Sequence, residues 1–412
     1  MIKKSWLPAI ILITIGLINT GAQTTSSPYT VFGAGLIENS SMGANKAMGG
    51  TGIGLPCSGS LNNLNPAAYS GIDSLSFLFN IGLFGKYTRY KSNEVTQDQI
   101  DGNLRYVAMG FRITNWWATS LGVAPYSSVG YRILSTAHID GDMTEYTRTY
   151  AGKGGINQFY SGHAFRLFKN LSLGINLAYL FGTIHREEIF SSGGQFGGYK
   201  IEENYNFRSL YTDFGLQFSV FPGDWECTLG LIYGNKKSLK ASGDINLTYN
   251  YNSVELDNNE KSEFSIPAKY GIGLGIEKAQ KFRFGVDYER RDWSDVDFYN
   301  PLLSVRNSER LSAGIEYTPY SHYREGFFKR LYYRLGTQFE NSNLIIEGEP
   351  VNTTSVLAGI GIPLKNDFSM INVTLEAGKN GTTNKGLIQG NYLMLHIDLS
   401  LRDIWFRKPK YD

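Results

Sequence analysis

Residues 171–181 read Leu-Ser-Leu-Gly-Ile-Asn-Leu-Ala-Tyr-Leu-Phe and decide the fold. Every odd-numbered residue of this stretch is apolar, and most of the even-numbered residues between them are small or polar. A period of two residues predicts a β-strand with one apolar face and one face of mostly small or polar residues. The stretch is longer than the usual strand of a globular protein, which has about 5–6 residues.

The same alternation recurs along the chain. Residues 214–220, 282–289, 371–378 and 393–402 each carry an apolar face opposite a face that mixes Gly, Ser and Asn with charges. Transmembrane strands need about 9–11 residues and show one face to lipid. Aromatic residues also cluster near the segment ends, which is typical of the interfacial girdles of membrane barrels. The pattern favours a membrane barrel over a soluble sandwich.

Composition narrows the class of protein. Charged residues make up 18% of the chain, aromatics 14%, and there are 47 glycines among 412 residues. Glycine and β-formers disfavour helical bundles, and 42% apolar content argues against disorder. The formal charge of +2 gives no basic excess of the kind that predicts nucleic-acid binding.

The alternating segments predict fourteen strands, an even number as expected of a barrel with both termini on one side. They lie near 75–90, 104–114, 117–126, 155–168, 171–187, 203–221, 225–249, 263–278, 281–298, 307–319, 330–348, 353–363, 369–379 and 391–403. Short turns alternate with longer polar connections, which is typical of outer-membrane barrels. Segment 127–154 is interpreted as an extracellular excursion, and the count becomes sixteen if its two halves span. The predicted fold is an all-β, 14-stranded antiparallel transmembrane barrel.

The chain ends differ from the barrel pattern. Residues 1–22 have a basic start, an apolar stretch and a small-residue end, which predicts a cleaved secretory signal peptide. The alternative is a membrane anchor, but about 20 apolar residues are needed to span a bilayer. The barrel is expected over 72–406, and 407–412 form a short basic tail in the periplasm.

Residues 23–71 are rich in Gly, Ser and Asn and show no long alternation, yet they carry many apolar anchors. We expect this segment to form a hatch, or plug, inside the lumen rather than a disordered leader, since a barrel of this size otherwise encloses a wide channel. Its glycine-rich stretch lacks the spacing of a phosphate loop. The motif residues of this segment are Gly49, Gly50, Gly52, Asn65, Pro66 and Ala67.

These motifs carry a family resemblance. The stretches 27–29, 33–35, 47–52 and 65–67 resemble the N-terminal hatch of the FadL/TodX (OmpP1) family, in the form found in Bacteroidota. The resemblance implies a hatch-plugged outer-membrane barrel that carries hydrophobic molecules inward, with lateral release at a kinked third strand. Pro125 interrupts the third predicted strand, and proline cannot donate to a β-ladder. It either kinks the strand or marks its end.

Site chemistry is sparse. His396 and Asp398 share the inward face of the last strand with Arg402 nearby, and Glu376 faces inward on the strand before it. With no nucleophile beside the histidine, we interpret these residues as a lumen hydrogen-bond network that ties the hatch to the wall. No metal site, no cofactor and no enzymatic activity are predicted. Cys57 and Cys227 are expected to be free thiols.

Two functions remain open. Apolar side chains on the inward face suit a hydrophobic ligand but equally suit packing against the hatch. The leading hypothesis is a passive outer-membrane channel for hydrophobic small molecules, either fatty-acid-like or aromatic, with hatch-gated entry. The alternative is a non-transporting structural or accessory barrel within a larger outer-membrane complex for protein assembly, secretion or lipoprotein export. The expected partners are outer-membrane lipid, a hydrophobic small molecule and other outer-membrane proteins or lipoproteins; no nucleic acid is expected.

Overall fold

A computed structural model describes residues 26–57, 59–93, 95–138, 145–192, 198–249, 252–256, 263–278, 281–293, 303–319, 326–364 and 369–405. The predicted signal peptide and the predicted tail lie outside the described residues. Within the described part of the chain, no helix is long and apolar enough to cross a membrane.

Long strands make up most of the chain. We number the wall strands β1 to β14, and three of them consist of more than one piece. Their bounds are Ser76–Lys91 (β1), Thr96–Arg112 (β2), Trp117–His138 (β3), Glu145–Arg166 (β4), Leu171–Ser192 (β5), Tyr199–Val220 (β6), Trp225–Gly234 with Lys237–Tyr249 (β7), Asn252–Leu256 with Glu263–Ile266 and Ala268–Lys278 (β8), Phe282–Asp292 (β9), Leu303–Val305 with Ser308–Tyr317 (β10), Tyr332–Ile346 (β11), Glu349–Pro363 (β12), Met370–Asn380 (β13) and Gln389–Ile404 (β14).

The sheet closes on itself. Each strand pairs antiparallel with the next, and the last strand returns to the first in a ladder that runs from Gln389 opposite Lys91 to Ile404 opposite Ser76. Closure removes the sheet edges that would otherwise leave backbone groups unpaired. The predicted 14-stranded antiparallel barrel is confirmed.

The two faces of the wall follow the predicted alternation. On β5, Leu173 and Leu177 are 38% and 46% exposed, whereas Ala178 and Leu180 on the alternate face are buried. The apolar residues therefore point outward, toward where lipid lies around a membrane barrel.

The predicted excursion at 127–154 is mostly strand. The β3–β4 ladder continues from Ser127 opposite Ile156 to His138 opposite Glu145, so both halves extend existing strands. The count therefore stays at fourteen and does not reach sixteen. Strands β3, β4, β5 and β6 each have 22 residues.

The connection between the strands predicted at 330–348 and 353–363 also differs in its bounds. Strands β11 and β12 are joined by a tight turn at Glu347 and Gly348, whose φ angles are 51° and 81°. Two successive positive φ angles are typical of the turn that matches the twist of a hairpin. The alternation of apolar residues does not reveal this turn, because the polar end of a hairpin has no apolar face.

Residues 26–73, which we call the N-terminal segment, form only short elements. These are a 3-10 helix at Pro28–Val31, a strand at Leu36–Ile37, a helical turn at Ala44–Ala47 and a 3-10 helix at Pro66–Gly71. Most of the described residues from 41 to 57 are buried, although many of them are polar or glycine. Further 3-10 turns lie at Phe327–Arg330 and Asn384–Gly386.

Candidate functional site

Wall glycines contact the N-terminal segment on ten of the fourteen strands. A Cβ atom placed on each of these glycines would meet an atom of the segment within van der Waals range. We call this set the glycine ring: Gly110, Gly162, Gly174, Gly215, Gly230, Gly271, Gly273, Gly275, Gly285, Gly314, Gly336 and Gly359.

The contacts of the glycine ring are close. A Cβ atom at Gly230 would lie 1.9 Å from the carbonyl oxygen of Ile53, and one at Gly336 would lie 2.0 Å from the amide nitrogen of Gly49. Real side chains do not tolerate such distances, so backbone packs on backbone here. The N-terminal segment thus lies against the wall without intervening side chains.

The remaining four strands contact the segment through polar side chains. Asn80 on β1 and Ser400 on β14 lie beside Gly43, at 3.6 Å and 3.4 Å from its Cβ position. Glu376 on β13 pairs with Lys46, and Ser128 on β3 donates to Glu38. All fourteen strands therefore touch the segment.

The predicted glycine motif lies at these contacts. Gly49 and Gly50 have φ angles of 73° and 76°, a left-handed conformation that favours glycine. A Cβ at Gly49 would lie 2.5 Å from the carbonyl oxygen of Thr337 on β11. Gly52 packs within the segment, where a Cβ would lie 2.6 Å from Leu64.

Asn65, Pro66 and Ala67 start a 3-10 helix and anchor it to the wall. The Asn65 side chain accepts a 3.0 Å hydrogen bond from the Ala67 amide, and its amide group donates to Leu216 of β6 at 3.1 Å. Proline suits the first helical position, because a backbone N–H at that position would have no acceptor within the helix. Gly174 on β5 is contacted by Pro66 and Ala67.

Two polar side chains of the wall, which sequence reasoning did not single out, hold the turn at residues 52–55. Asp287 on β9 accepts hydrogen bonds from the amides of Gly52 and Ile53 at 2.6 Å and 2.9 Å. Gln217 on β6 donates to the Ile53 carbonyl at 3.0 Å. The sequence gives little indication of these two residues. Their side chains differ from other inward-facing polar side chains only in the backbone groups that they contact, and those contacts are not visible in the sequence.

Glu376 lies at the centre of a buried polar group. Its Oε2 atom is 2.9 Å from Lys46 Nζ and 3.0 Å from His396 Nε2. Arg105 contacts the other ring nitrogen of His396 at 3.2 Å, which fits the neutral tautomer with the proton on Nε2. Burial lowers the pKa of Lys46, while the Glu376 carboxylate acts in the opposite direction.

The other two predicted network residues have separate partners. Asp398 accepts a hydrogen bond from the Tyr106 hydroxyl, which in turn accepts one from the Gly43 amide at 2.8 Å. Arg402 lies near the end of β14 and donates to Asp73 at 2.6 Å and to Ser76 at 3.2 Å. The structure therefore joins Glu376 and His396 directly and places Arg402 in a different cluster.

Pro125 lies at an irregularity of β3. The β3–β4 register shifts between Pro125 and Ser127, so Tyr126 is the bulged residue. The β2–β3 ladder begins at Val107 opposite Val123 and does not extend past Pro125.

The two larger cavities beside the N-terminal segment differ in their linings. One, of about 220 Å³, is lined by charged and aromatic residues that include Lys46, Lys86 and Glu376, and the Lys86 ammonium lies 4.7 Å from the ring centre of Tyr392. The other, of about 250 Å³, has a largely apolar lining that includes Phe264. The strand Leu36–Ile37 lines both.

One cluster in the described part of the chain has metal-ligand side chains. Ligand atoms of His185, Glu187 and Glu202 lie within 4.8 Å of one another. The Lys200 ammonium already pairs with Glu187 at 3.2 Å and with Glu202 at 2.8 Å, so part of the carboxylate charge is offset within the protein. Cys57 and Cys227 are free thiols, as expected.

Solved structures share this fold at low sequence identity. The Pseudomonas putida toluene transporter TodX is 14% identical with a TM-score of 0.61, covering 90% of this chain and 100% of that one. The Ralstonia pickettii toluene transporter TbuX is 15% identical with a TM-score of 0.58, covering 91% and 99%. A Pseudomonas aeruginosa FadL homologue is 12% identical with a TM-score of 0.59, covering 91% and 100%. TodX and TbuX are toluene transporters, not enzymes.

The family assignment differs from the resemblance seen in the sequence. No curated protein sequence matches the chain. The BamG family matches residues 1–412, so the FadL/TodX resemblance holds at the level of the fold and another family describes the sequence. The chain belongs to the BamG family.

Proposed function

We propose that the chain is a non-transporting accessory barrel of a larger complex in the outer membrane of a Gram-negative bacterium. The observation that carries this proposal is the contact of the N-terminal segment with all fourteen strands, ten of them through the glycine ring. A solute that crosses the lumen would need the segment to leave these contacts. The segment then acts as a fixed plug.

The strands that continue past the membrane supply a surface for partners. A strand of 22 residues is about 70 Å long. About 9–11 residues are enough for a strand to cross a bilayer, so these strands are about twice as long as the membrane requires. Near the ends of β4, β5 and β6, the Phe190 ring lies between those of Tyr146 and Tyr199: its centre is 5.5 Å from the tilted Tyr146 ring and 5.2 Å from the stacked Tyr199 ring. The Arg148 guanidinium lies 5.7 Å from the Phe190 ring centre. Aromatic residues and arginine are enriched at protein interfaces.

The family match is consistent with this candidate. It covers the whole chain and names a family other than those of the hydrocarbon channels.

Gentle extraction tests the proposal. The tagged protein, extracted from its native membrane in mild detergent, is expected to bring down another outer-membrane protein or lipoprotein in constant ratio. The Phe190→Ala variant is expected to lose that partner, whereas Thr147→Ala, on the opposite face of β4, keeps it. In planar bilayers the protein is expected to give no stable conductance steps. A monomer that conducts and has no partner contradicts the proposal.

A passive channel for hydrophobic molecules is the second candidate. The shared fold of the hydrocarbon channels favours it, as does the 220 Å³ cavity that reaches Pro125, where the β2–β3 ladder is missing. In this case Pro125 marks the lateral exit and the N-terminal segment is a gate.

Mass spectrometry of the natively extracted protein distinguishes this candidate. A channel is expected to retain a hydrophobic molecule in the cavity, and Val351→Trp, which fills the cavity, is expected to lose it. The control Val356→Trp changes an outward-facing residue of the same strand, which is 59% exposed, and is expected to retain it. Absence of any bound molecule from the wild-type protein counts against a ligand in this cavity.

A further inference from the structure

The wall has a seam between β2 and β3. Their ladder covers only the stretch from Val107 opposite Val123 to Arg112 opposite Ala118. Residues 96–106 of β2 pair with β1 on one side and have no β3 partner on the other. Unpaired backbone groups are costly in lipid, and closed barrels normally avoid them.

Residues 26–39 of the N-terminal segment lie in this seam, and we call them the strap. The strap pairs with the free edge of β3, where Leu36 stands opposite Ser128 and Ile37 opposite Ser127. The Ser27 amide donates to the Gly130 carbonyl at 2.7 Å, and the Glu38 amide donates to the Tyr126 carbonyl at 2.9 Å. These bonds occupy backbone groups of β3 that β2 leaves unpaired.

A buried hydroxyl adds to this edge. The Thr30 hydroxyl accepts a hydrogen bond from the Gly130 amide at 3.1 Å and lies 3.1 Å from the Gly130 carbonyl. It also donates to the Ser27 carbonyl at 2.7 Å. Because Thr30 is fully buried, loss of this hydroxyl would leave backbone groups without a partner.

The strap also reaches β2 on the other side of the seam. Asp101 on β2 accepts hydrogen bonds from the backbone amide and the hydroxyl of Ser26, at 3.2 Å and 2.7 Å. Arg105 on β2 donates to the Asn39 carbonyl at 2.8 Å. The two ends of the strap thus bond to both β2 and β3, and the stretch between them pairs with β3.

Gly35 fixes how closely the strap approaches β3. Its φ angle is 86°, and a Cβ there would lie 2.2 Å from the Ser128 carbonyl oxygen and 2.6 Å from Val129. A methyl group at this position would therefore push the strap away from β3. Gly59 has a similar φ angle of 80° but no atom within 4 Å of its Cβ position.

We propose that the strap completes the barrel wall and closes a side opening between β2 and β3. When the strap is displaced, the 220 Å³ cavity, whose lining includes Ala124 and Pro125, opens sideways toward the membrane. This inference does not depend on which of the two candidate functions holds. A fixed plug needs the opening sealed, and a channel needs the strap to move.

A disulfide tests the position of the strap. The double variant Leu36→Cys/Ser128→Cys, in a background with Cys57→Ala and Cys227→Ala, joins two residues that face each other across the ladder. We expect it to oxidise fully in native membranes. Failure to form this bond in a correctly folded barrel, judged by heat-modified migration on gels, overturns the proposal.

Reactivity of a seam residue tests the closure. In the same background without the added pair, Ala124→Cys, at a buried wall position, is treated with a lipid-soluble maleimide in proteoliposomes. Adding Gly35→Ala is expected to speed labelling about tenfold, which corresponds to about 1.4 kcal/mol in the opening equilibrium. Gly59→Ala is expected to leave the rate unchanged.

Every outcome bears on the inference. Loss of the Leu36–Ser128 disulfide in Gly35→Ala without faster labelling means that the wall is closed without the strap. Faster labelling with the disulfide retained means that the opening does not depend on the strap. Either result overturns the proposal. If Gly35→Ala does not fold, or leaves the strap in place, Thr30→Val, which keeps the side-chain shape and removes the hydroxyl, is expected to raise the labelling rate, and an unchanged rate in Thr30→Val also overturns the proposal.

Discussion

Lys46 and Glu376 form an ion pair of 2.9 Å in which the side chains are only 7% and 6% exposed. One residue belongs to the N-terminal segment and the other to β13. Two charges are buried at moderate cost only when their geometry is good and further hydrogen bonds satisfy them. His396 and Tyr392 supply such bonds to Glu376 at 3.0 Å and 2.9 Å. The pair thus fixes the position of the segment relative to the wall.

Removal of one member of this pair is expected to be more harmful than removal of both. Lys46→Met leaves a buried carboxylate uncompensated and is expected to cost about 3–5 kcal/mol of unfolding free energy. The double variant Lys46→Met/Glu376→Gln is expected to recover part of that loss. Urea unfolding in detergent, followed by tryptophan fluorescence, gives the double-mutant cycle. Strictly additive effects would show that the two residues do not interact.

Gly336→Ala tests the glycine ring. The added methyl group would lie 2.0 Å from the Gly49 amide nitrogen, so overpacking is expected to lower the unfolding free energy by about 1–3 kcal/mol. The matched control is Gly85→Ala on β1, whose Cβ position has no atom within 4 Å. The same urea titration measures both variants, and equal stabilities would contradict the contact.

Asp287→Asn tests the turn at residues 52–55. Hydrogen bonds to a charged acceptor contribute about 1.5–3 kcal/mol, and the amide keeps only part of this. Peptides that contain Gly52 and Ile53 are therefore expected to exchange amide hydrogens faster in the variant. Ser312→Ala, at the position opposite Asp287 on β10, is the control and is expected to leave exchange unchanged. Identical exchange in Asp287→Asn would mean that the carboxylate does not hold the turn.

Cys57 is expected to resist alkylation. Burial raises the pKa of its thiol from 9.0 to about 12, so hardly any thiolate is present at pH 8. Above pH 9 the unfolded chain loses this proton while the folded chain keeps it, so this group lowers stability as the pH rises. Mass spectrometry after maleimide treatment at pH 8 is expected to show Cys57 unmodified in the folded protein and modified after heat unfolding. Rapid labelling of the folded protein would show that the segment opens.

The alternation in 171–181, together with its repeats along the chain, predicts all fourteen strands. It does so because every second residue of a membrane strand faces lipid and is therefore apolar. The same logic misses the ends of β3 and β4 beyond Tyr126, since strands outside the membrane need no greasy face. The proline at position 125 indicates an interruption of the third strand. The sequence around it does not reveal that the strap, rather than β2, pairs with the residues of β3 that follow.

Parts of the site are less accessible to sequence reasoning. The motif at Gly49, Gly50 and Asn65 is visible because glycine and Asn-Pro pairs have local conformational meaning. The glycine ring shows only as inward glycines in many strands, and its partners depend on long-range packing. Arg402 and Asp398 lie on one face of β14, yet a strand rises about 3.3 Å per residue, so four residues separate them into different clusters.

Amide hydrogen exchange of residues 44–57 in native membranes tests the central claim most directly, namely that the N-terminal segment is lodged against the glycine ring. The account predicts that peptides from this stretch exchange about 1,000-fold slower than an unstructured chain, corresponding to about 4 kcal/mol of opening free energy. Exchange at the unstructured rate in a barrel whose strands stay protected would contradict it.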